Sequence, residues 1–298
     1  MRVKLNRFFI FLASLSLNAS IYAKDINIAI IDTGIDPTNQ IFEGRLFVGK
    51  SPATFDNYGV DFSKGAQNLS SPVDQHGHGT HIAGIIAKYA PNAKLHILKY
   101  YNPMASGEEN LKSTIEALRY AINLNVEIIN YSSGGPEASI EEKRLFDLAE
   151  KKGIVIVSAA GNEGNNIDRF GHEFFPASYH HKNIITVGSH DKSFTPLKSS
   201  NYGARSVDIF APGERILSNL PNNRMGYLTG TSQATAFVSA KVATIMKKFN
   251  KFSPVMIKNK LFSNSIVKKK LRGLCSTGKI LNLENQGNEI NRSLVMQN

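Results

Sequence analysis

Five short runs rich in β-branched residues, at 26–31, 95–100, 126–131, 154–159 and 184–188, alternate with segments of helical period. Between them, Leu111, Ile115, Leu118 and Ile122 fall on one helix face, and 140–151 suggests a second helix. Apolar runs of this length suit strands buried on both faces, and strands that alternate with helices join through right-handed crossovers. The expected architecture is a three-layer α/β/α domain with a mainly parallel central sheet. No repeat, low-complexity linker or composition break interrupts the chain after residue 24, so 24–298 reads as one domain.

The first 23 residues differ from the rest. Arg2, Lys4 and Arg7 precede an apolar run at 8–17, and small residues follow near Ala19 and Ala23. This is the layout of a secretory signal peptide, and the run is short for a bilayer span, which leaves an uncleaved anchor as the weaker alternative. A secreted or periplasmic protein is expected. With one cysteine, Cys275, the chain can form no internal disulfide and no cysteine-based zinc site. The net charge of +11 is local: residues 241–279 hold eleven Lys and Arg and no Asp or Glu. That stretch could meet an anionic surface or be a solvated helix face, and with no aromatic residues interleaved in the manner of a base-stacking platform it gives no sign of specific nucleic-acid binding.

In an open parallel sheet, ligands bind beyond the carboxyl ends of the strands, so residues just after strands are the candidates for chemistry. Three places qualify. Asp32 ends the first strand in Ile31-Asp32-Thr33-Gly34, His78 opens a helix in His76-Gly77-His78-Gly79-Thr80-His81, and Ser232 starts another in Gly230-Thr231-Ser232-Gln233-Ala234. Singly, the aspartate could be a turn residue and the serine a helix cap. The histidine cluster has two readings. His76, His78 and His81 have spacing suited to zinc, although Thr80 stands where a second metal would need a carboxylate, and Asp32 and Ser232 are then left without a role. Alternatively, a serine hydroxyl needs a base, and the base needs a carboxylate to fix its tautomer, which gives all three places a part.

The three motifs, in the order Asp, His, Ser, resemble the signatures of the subtilisin-like serine proteases, the subtilases. The resemblance extends from about Ile26 to Leu283. It implies a secreted serine endopeptidase that acts on polypeptides through an acyl-enzyme, with Asp32, His78 and Ser232 as its catalytic residues. The segment Ser158-Ala159-Ala160-Gly161-Asn162-Glu163-Gly164 resembles the family's oxyanion segment and implies Asn162 as a donor, with the Ser232 N–H as the second. Ser132-Ser133-Gly134-Gly135-Pro136 resembles the segment that pairs with substrate. Ser132, Ser133 and Gly134 on one side, and Ala159, Ala160 and Gly161 on the other, would flank the pocket for the residue before the scissile bond. Phe174 and Phe175 are expected to narrow its base.

Departures from the family pattern carry information. Gln233 stands where the family usually has methionine, and Ala236 and Phe237 replace a usual proline and histidine. The segment 87–93 is shorter than the calcium-binding loop often found at this point, so no cofactor is expected. Asp32 lies close behind Ala23, which leaves no room for a pro-segment within this sequence. A monomer is expected, and a fold-sharing but catalytically silent peptide-binding protein is the remaining alternative.

Overall fold

A computed structural model describes residues 25–47, 49–51, 54–66 and 71–283. The leader reading, residues 1–23, lies outside them. Strands β1 (Ile26–Asp32), β2 (Gly49–Ser51), β3 (Thr54–Asn57) and β4 (Gly59–Asp61) precede helix α1 (His78–Tyr89) and strand β5 (Ala93–Lys99). There follow α2 (Gly107–Leu124), β6 (Ile128–Tyr131), α3 (Ile140–Lys151), β7 (Val155–Ala159), β8 (Ile184–His190) and β9 (Ile209–Pro212). The hairpin β10 (Ile216–Leu220) and β11 (Arg224–Leu228) leads into α4 (Thr231–Met246), α5 (Pro254–Ser263), β12 (Ile266–Val267) and β13 (Lys279–Ile280).

Among the described residues, nine strands form one sheet in the order β12-β13-β9-β8-β7-β6-β1-β5-β4, and only the β12–β13 pairing at one edge is antiparallel. The first strand lies inside the sheet. From β1 the chain places β4 at the edge and then β5 between the two, before crossing to the other side and laying down β6, β7, β8 and β9 in succession. Such a reversal leaves a crevice at the carboxyl ends of β1 and β6. The expected three-layer α/β/α arrangement is present, and the sheet is mainly parallel.

Alternation along the strands divides the core. Ile28 and Ile30 of β1, with Val155 and Val157 of β7, join the layer containing α1, α4 and α5. Ala29 and Ile31, with Ile129 and Ile156, face α2 and α3. The β1 register against β5 runs Ile26↔Ala93 to Asp32↔Lys99, which brings Asp32 to the end of a central strand. Helix α4 is buried along nearly its whole length, which fits its run of Ala, Val and small polar residues.

Sequence and structure differ at element ends and at the sheet margins. β5 starts two residues earlier than the sequence pattern suggests and β8 runs on to His190, because pairing with a neighbour extends a strand beyond its apolar run. The marginal strands β4, β12 and β13 are two or three residues long, too short to show a period, and the β10–β11 hairpin carries no continuous apolar run. The basic stretch is partly structural. Lys258 pairs with Asp208 at 2.9 Å, Lys279 donates to the Phe262 carbonyl at 2.8 Å, Lys268 covers the Phe194 ring, and Lys241 is buried in α4.

Two buried histidines couple this fold to pH. His81 on α1 and His96 on β5 are each held by burial at a pKa of about 4, below the ordinary 6.5. The unfolded chain takes up their protons first, so their stabilising contribution is complete above 6.5 and is lost as pH falls toward 4. We expect melting temperature to fall across that window and the slope to flatten in His96→Gln, which keeps a donor for the Asn27 side-chain oxygen 3.2 Å away. Identical slopes in both proteins would place the proton uptake elsewhere.

Candidate active site

The three sequence-selected residues converge at the carboxyl end of the sheet. Asp32 is the last residue of β1, His78 the first of α1, and Ser232 the second of α4. Asp32 Oδ1 accepts the Thr33 N–H at 2.8 Å and lies 2.7 Å from His78 Nδ1. The aspartate is buried and the imidazole about one quarter exposed. A carboxylate at Nδ1 assigns the proton to that nitrogen and leaves the Nε2 lone pair free to act as a base. Burial works against the charged imidazole, but the charge and hydrogen bond of Asp32, with Asp74 further away, outweigh it and raise its pKa above 6.5.

The contact between β1 and α1 depends on glycine. A Cβ on Gly79 would lie 2.2 Å from the Gly34 carbonyl oxygen, and one on Gly34, where φ is +111°, would lie 2.5 Å from the Pro72 carbonyl oxygen. A side chain on Gly79 would push the helix start away from the strand end, and one on Gly34 would push the strand end away from the loop at Pro72 and Val73.

Asp74, which sequence reasoning passed over, holds these pieces in place. Its Oδ1 accepts from Thr33 Oγ1 at 2.8 Å, His76 N at 3.0 Å and Gly77 N at 2.7 Å, and its Oδ2 from Thr80 N at 2.8 Å and Thr80 Oγ1 at 2.6 Å. Thr33 Oγ1 in turn accepts the Gly79 N–H at 2.9 Å. Gly77 has no side chain to cap α1, so a carboxylate from the preceding loop satisfies its first turn. Burial pushes the Asp74 pKa up, but hydrogen bonds from Thr80, Gly77 and Thr33 bring it below the usual carboxylate value. The available signal was an aspartate three residues before the helix-opening glycine, a local capping pattern.

At the other wall, Asn162 Oδ1 accepts from Thr231 N at 2.9 Å and Thr231 Oγ1 at 3.2 Å. This fixes the amide so that its NH₂ group remains available beside the start of α4, where the Ser232 N–H has no partner within the helix. Asn201, also missed in the sequence, shapes this loop: its Nδ2 donates to the Ala160 carbonyl at 2.9 Å, and its Oδ1 accepts from Glu163 N and Asn165 N. Ser132 follows β6 and is buried, Ser133 is half-buried and Gly134 exposed, while Ala159, Ala160 and Gly161 are buried.

Two features of the geometry bear on the readings of the serine and of the histidine cluster. The Ser232 hydroxyl does not donate to His78; it donates to the Ser132 carbonyl at 3.0 Å, and Ser132 Oγ donates to the Ser232 carbonyl at 3.3 Å. The zinc arrangement is not formed. His81 points away from the other two histidines, and its Nε2 is taken by the Ile216 and Gly226 carbonyls at 2.9 and 3.1 Å. The His76 and His78 ring centroids are 6.4 Å apart, and among the described residues no group of three or more His, Cys, Asp or Glu is placed to hold a metal.

The model of the subtilase family matches residues 23–292. The chain belongs to the subtilase family. It is 36% identical over 231 residues to the major intracellular serine protease of Bacillus subtilis (strain 168), a match covering 74% of this chain and 68% of that protein. Against subtilisin DY of Bacillus licheniformis it is 31% identical, over 81% of this chain and 84% of that one. A solved structure of a cold-adapted subtilisin-like serine proteinase superimposes with a TM-score of 0.72 at 26% identity, covering 89% of this chain and 90% of that chain. As a subtilase, the chain is a subtilisin-like serine protease.

Asp74 acts on the site through the placement and charge of His78. In Asp74→Asn, an amide replaces one acceptor oxygen and turns a donor toward other donors, which costs about 1–3 kcal/mol where buried N–H groups lose their partner. Loss of the charge also lowers the His78 pKa. We expect the acid limb of kcat/KM against pH to move to lower pH, with its wild-type midpoint above 6.5. An unmoved acid limb would show that Asp74 serves folding alone.

Proposed function

We propose that this subtilase is an exported endopeptidase that cleaves extended polypeptides, with Asp32, His78 and Ser232 as its catalytic triad. The observation that carries the assignment is the 2.7 Å contact between Asp32 Oδ1 and His78 Nδ1, with Nε2 left free. On substrate binding the Ser232 hydroxyl leaves the Ser132 carbonyl and donates to Nε2; such catalytic hydrogen bonds commonly form only in the substrate complex. Ser232 Oγ attacks the scissile carbonyl carbon as His78 takes its proton, and Asp32 stabilises the imidazolium. The Asn162 side-chain NH₂ and the Ser232 N–H receive the negative charge that develops on the carbonyl oxygen.

His78 then gives its proton to the leaving amine nitrogen, the peptide C–N bond breaks, and an ester to Ser232 remains. A water molecule, activated by the same imidazole, attacks this ester, the C–O bond to Ser232 breaks, and the serine regains its proton. The backbones of Ser132, Ser133 and Gly134 hold the substrate as an added strand, which is indifferent to most side chains and suits an endopeptidase.

Export rests on residues 1–23 rather than on kinship, since the Bacillus subtilis relative is named an intracellular protease. Amino-terminal sequencing of protein recovered outside the cytoplasm is expected to begin at Lys24. Lys248, Lys251, Lys260, Lys269 and Arg272 are exposed and available to an anionic surface.

For the chemistry, Ser232→Ala or His78→Ala is expected to lower kcat on casein by a factor on the order of 10⁶, a magnitude that comes from subtilisin itself. Asn162→Ala is expected to cost about 10²–10³, from the same source. Undiminished hydrolysis by Ser232→Ala would sink the assignment.

A further inference from the structure

Strands β6 and β7 are neighbours, in register at Tyr131↔Ser158, and the chain beyond each runs out past Ser232. On one side the Ser132 carbonyl accepts the Ser232 hydroxyl; on the other Asn162 accepts from Thr231. A substrate whose reacting carbonyl sits at Ser232 must therefore send the adjoining side chain between Gly134 and Gly161. That crevice already contains a side chain. A Cβ on Gly134 would lie 2.5 Å from Phe174 Cε1, and a Cβ on Gly161 would lie 2.9 Å from Phe174 Cε2. Two sides of one phenyl ring thus press on opposite walls.

The ring is anchored. Phe174 N–H donates to Ser178 Oγ at 3.1 Å and its carbonyl accepts the Ser178 N–H at 2.8 Å. The next residue, Phe175, exchanges two backbone hydrogen bonds with Gly135, at 2.7 and 3.0 Å, tying the segment to the wall that Gly134 belongs to. The ring also packs on the cluster containing Ala160, Ile167 and Ala177.

We propose that Phe174 determines specificity by occupying this crevice, so that the enzyme cleaves after small residues such as Ala, Gly and Ser. The proposal rests on the endopeptidase reading above. It holds even if the ring can move aside: a substrate phenyl that displaces the Phe174 phenyl buries one apolar group by exposing another, and gains nothing from hydrophobic burial. A small side chain requires no displacement.

The test compares two peptide p-nitroanilides of identical sequence except for Ala or Phe before the scissile bond. Wild type is expected to favour Ala in kcat/KM by roughly tenfold or more, the scale on which pockets discriminate by apolar size. In Phe174→Ala the Phe-to-Ala ratio is expected to rise by at least about tenfold, and a ratio is insensitive to the fraction of folded enzyme. Mass spectrometry of an unfolded protein digested by wild type alone gives a second reading, with cleavages expected after small residues.

Labelling of Ser232 by a small fluorophosphonate, which carries no peptide side chain, reports the nucleophile independently. Labelling together with a wild-type preference for Phe, or with an unchanged ratio in Phe174→Ala, overturns the specificity and leaves the endopeptidase reading intact. Absence of both labelling and cleavage overturns the two together.

Discussion

The buried carboxylate of Asp74 accepts hydrogen bonds from five donors contributed by the end of β1, the loop before α1 and the first turn of α1. Asp32 and His78 lie on the two elements this carboxylate joins, so the distance between them follows from a contact neither residue makes. A carboxylate with both oxygens occupied has little freedom to shift, and the glycines at 34 and 79 allow the backbones to approach closely enough for it to work. The negative charge also lies near the amino end of α1, where unpaired N–H groups favour it, and supports the charged form of His78 from a distance.

The remainder of the site is assembled by topology. Asp32, Ser132 and Ala159 end or follow three adjacent parallel strands, and α1 and α4 start at the same end of the sheet. Because β1 and β5 to β9 run parallel, their carboxyl ends share one edge of the sheet, so residues distant in sequence meet without any local preference for doing so. Ser232 sits where α4 leaves its first N–H groups unpaired, and Asn162 docks on that start through Thr231. The Ser232 hydroxyl and an unpaired N–H are therefore presented by the same helix terminus, with the Asn162 amide held beside them.

Packing differs between the machinery and the substrate side. The supporting residues Asp74, Asn130 and Asn201 are buried and hydrogen-bonded, and Asn130 links Ser132 to Ser239 of α4 through bonds of 2.9 and 2.8 Å. The crevice beside the site is instead bounded by glycines, so its capacity is set by whichever side chain reaches in from a third segment. Such an arrangement separates the two properties: the ring at 174 can change without disturbing the hydrogen bonds that align Asp32 and His78.

The sequence by itself determined the alternation of strands and helices, their order, and the short motifs around Asp32, His78, Asn162 and Ser232, because periodicity and turn chemistry act over a few residues. It left edge strands and helix ends open, since these depend on what pairs alongside. Only the tertiary structure decided that His81 serves main-chain carbonyls rather than a metal, that the Ser232 hydroxyl rests on a carbonyl 100 residues away, and that the Phe174 ring presses on Gly134 and Gly161. Each is a contact between segments far apart in the chain, whose partners are selected by the register of the sheet and by the space left after the core has packed; no local pattern encodes either.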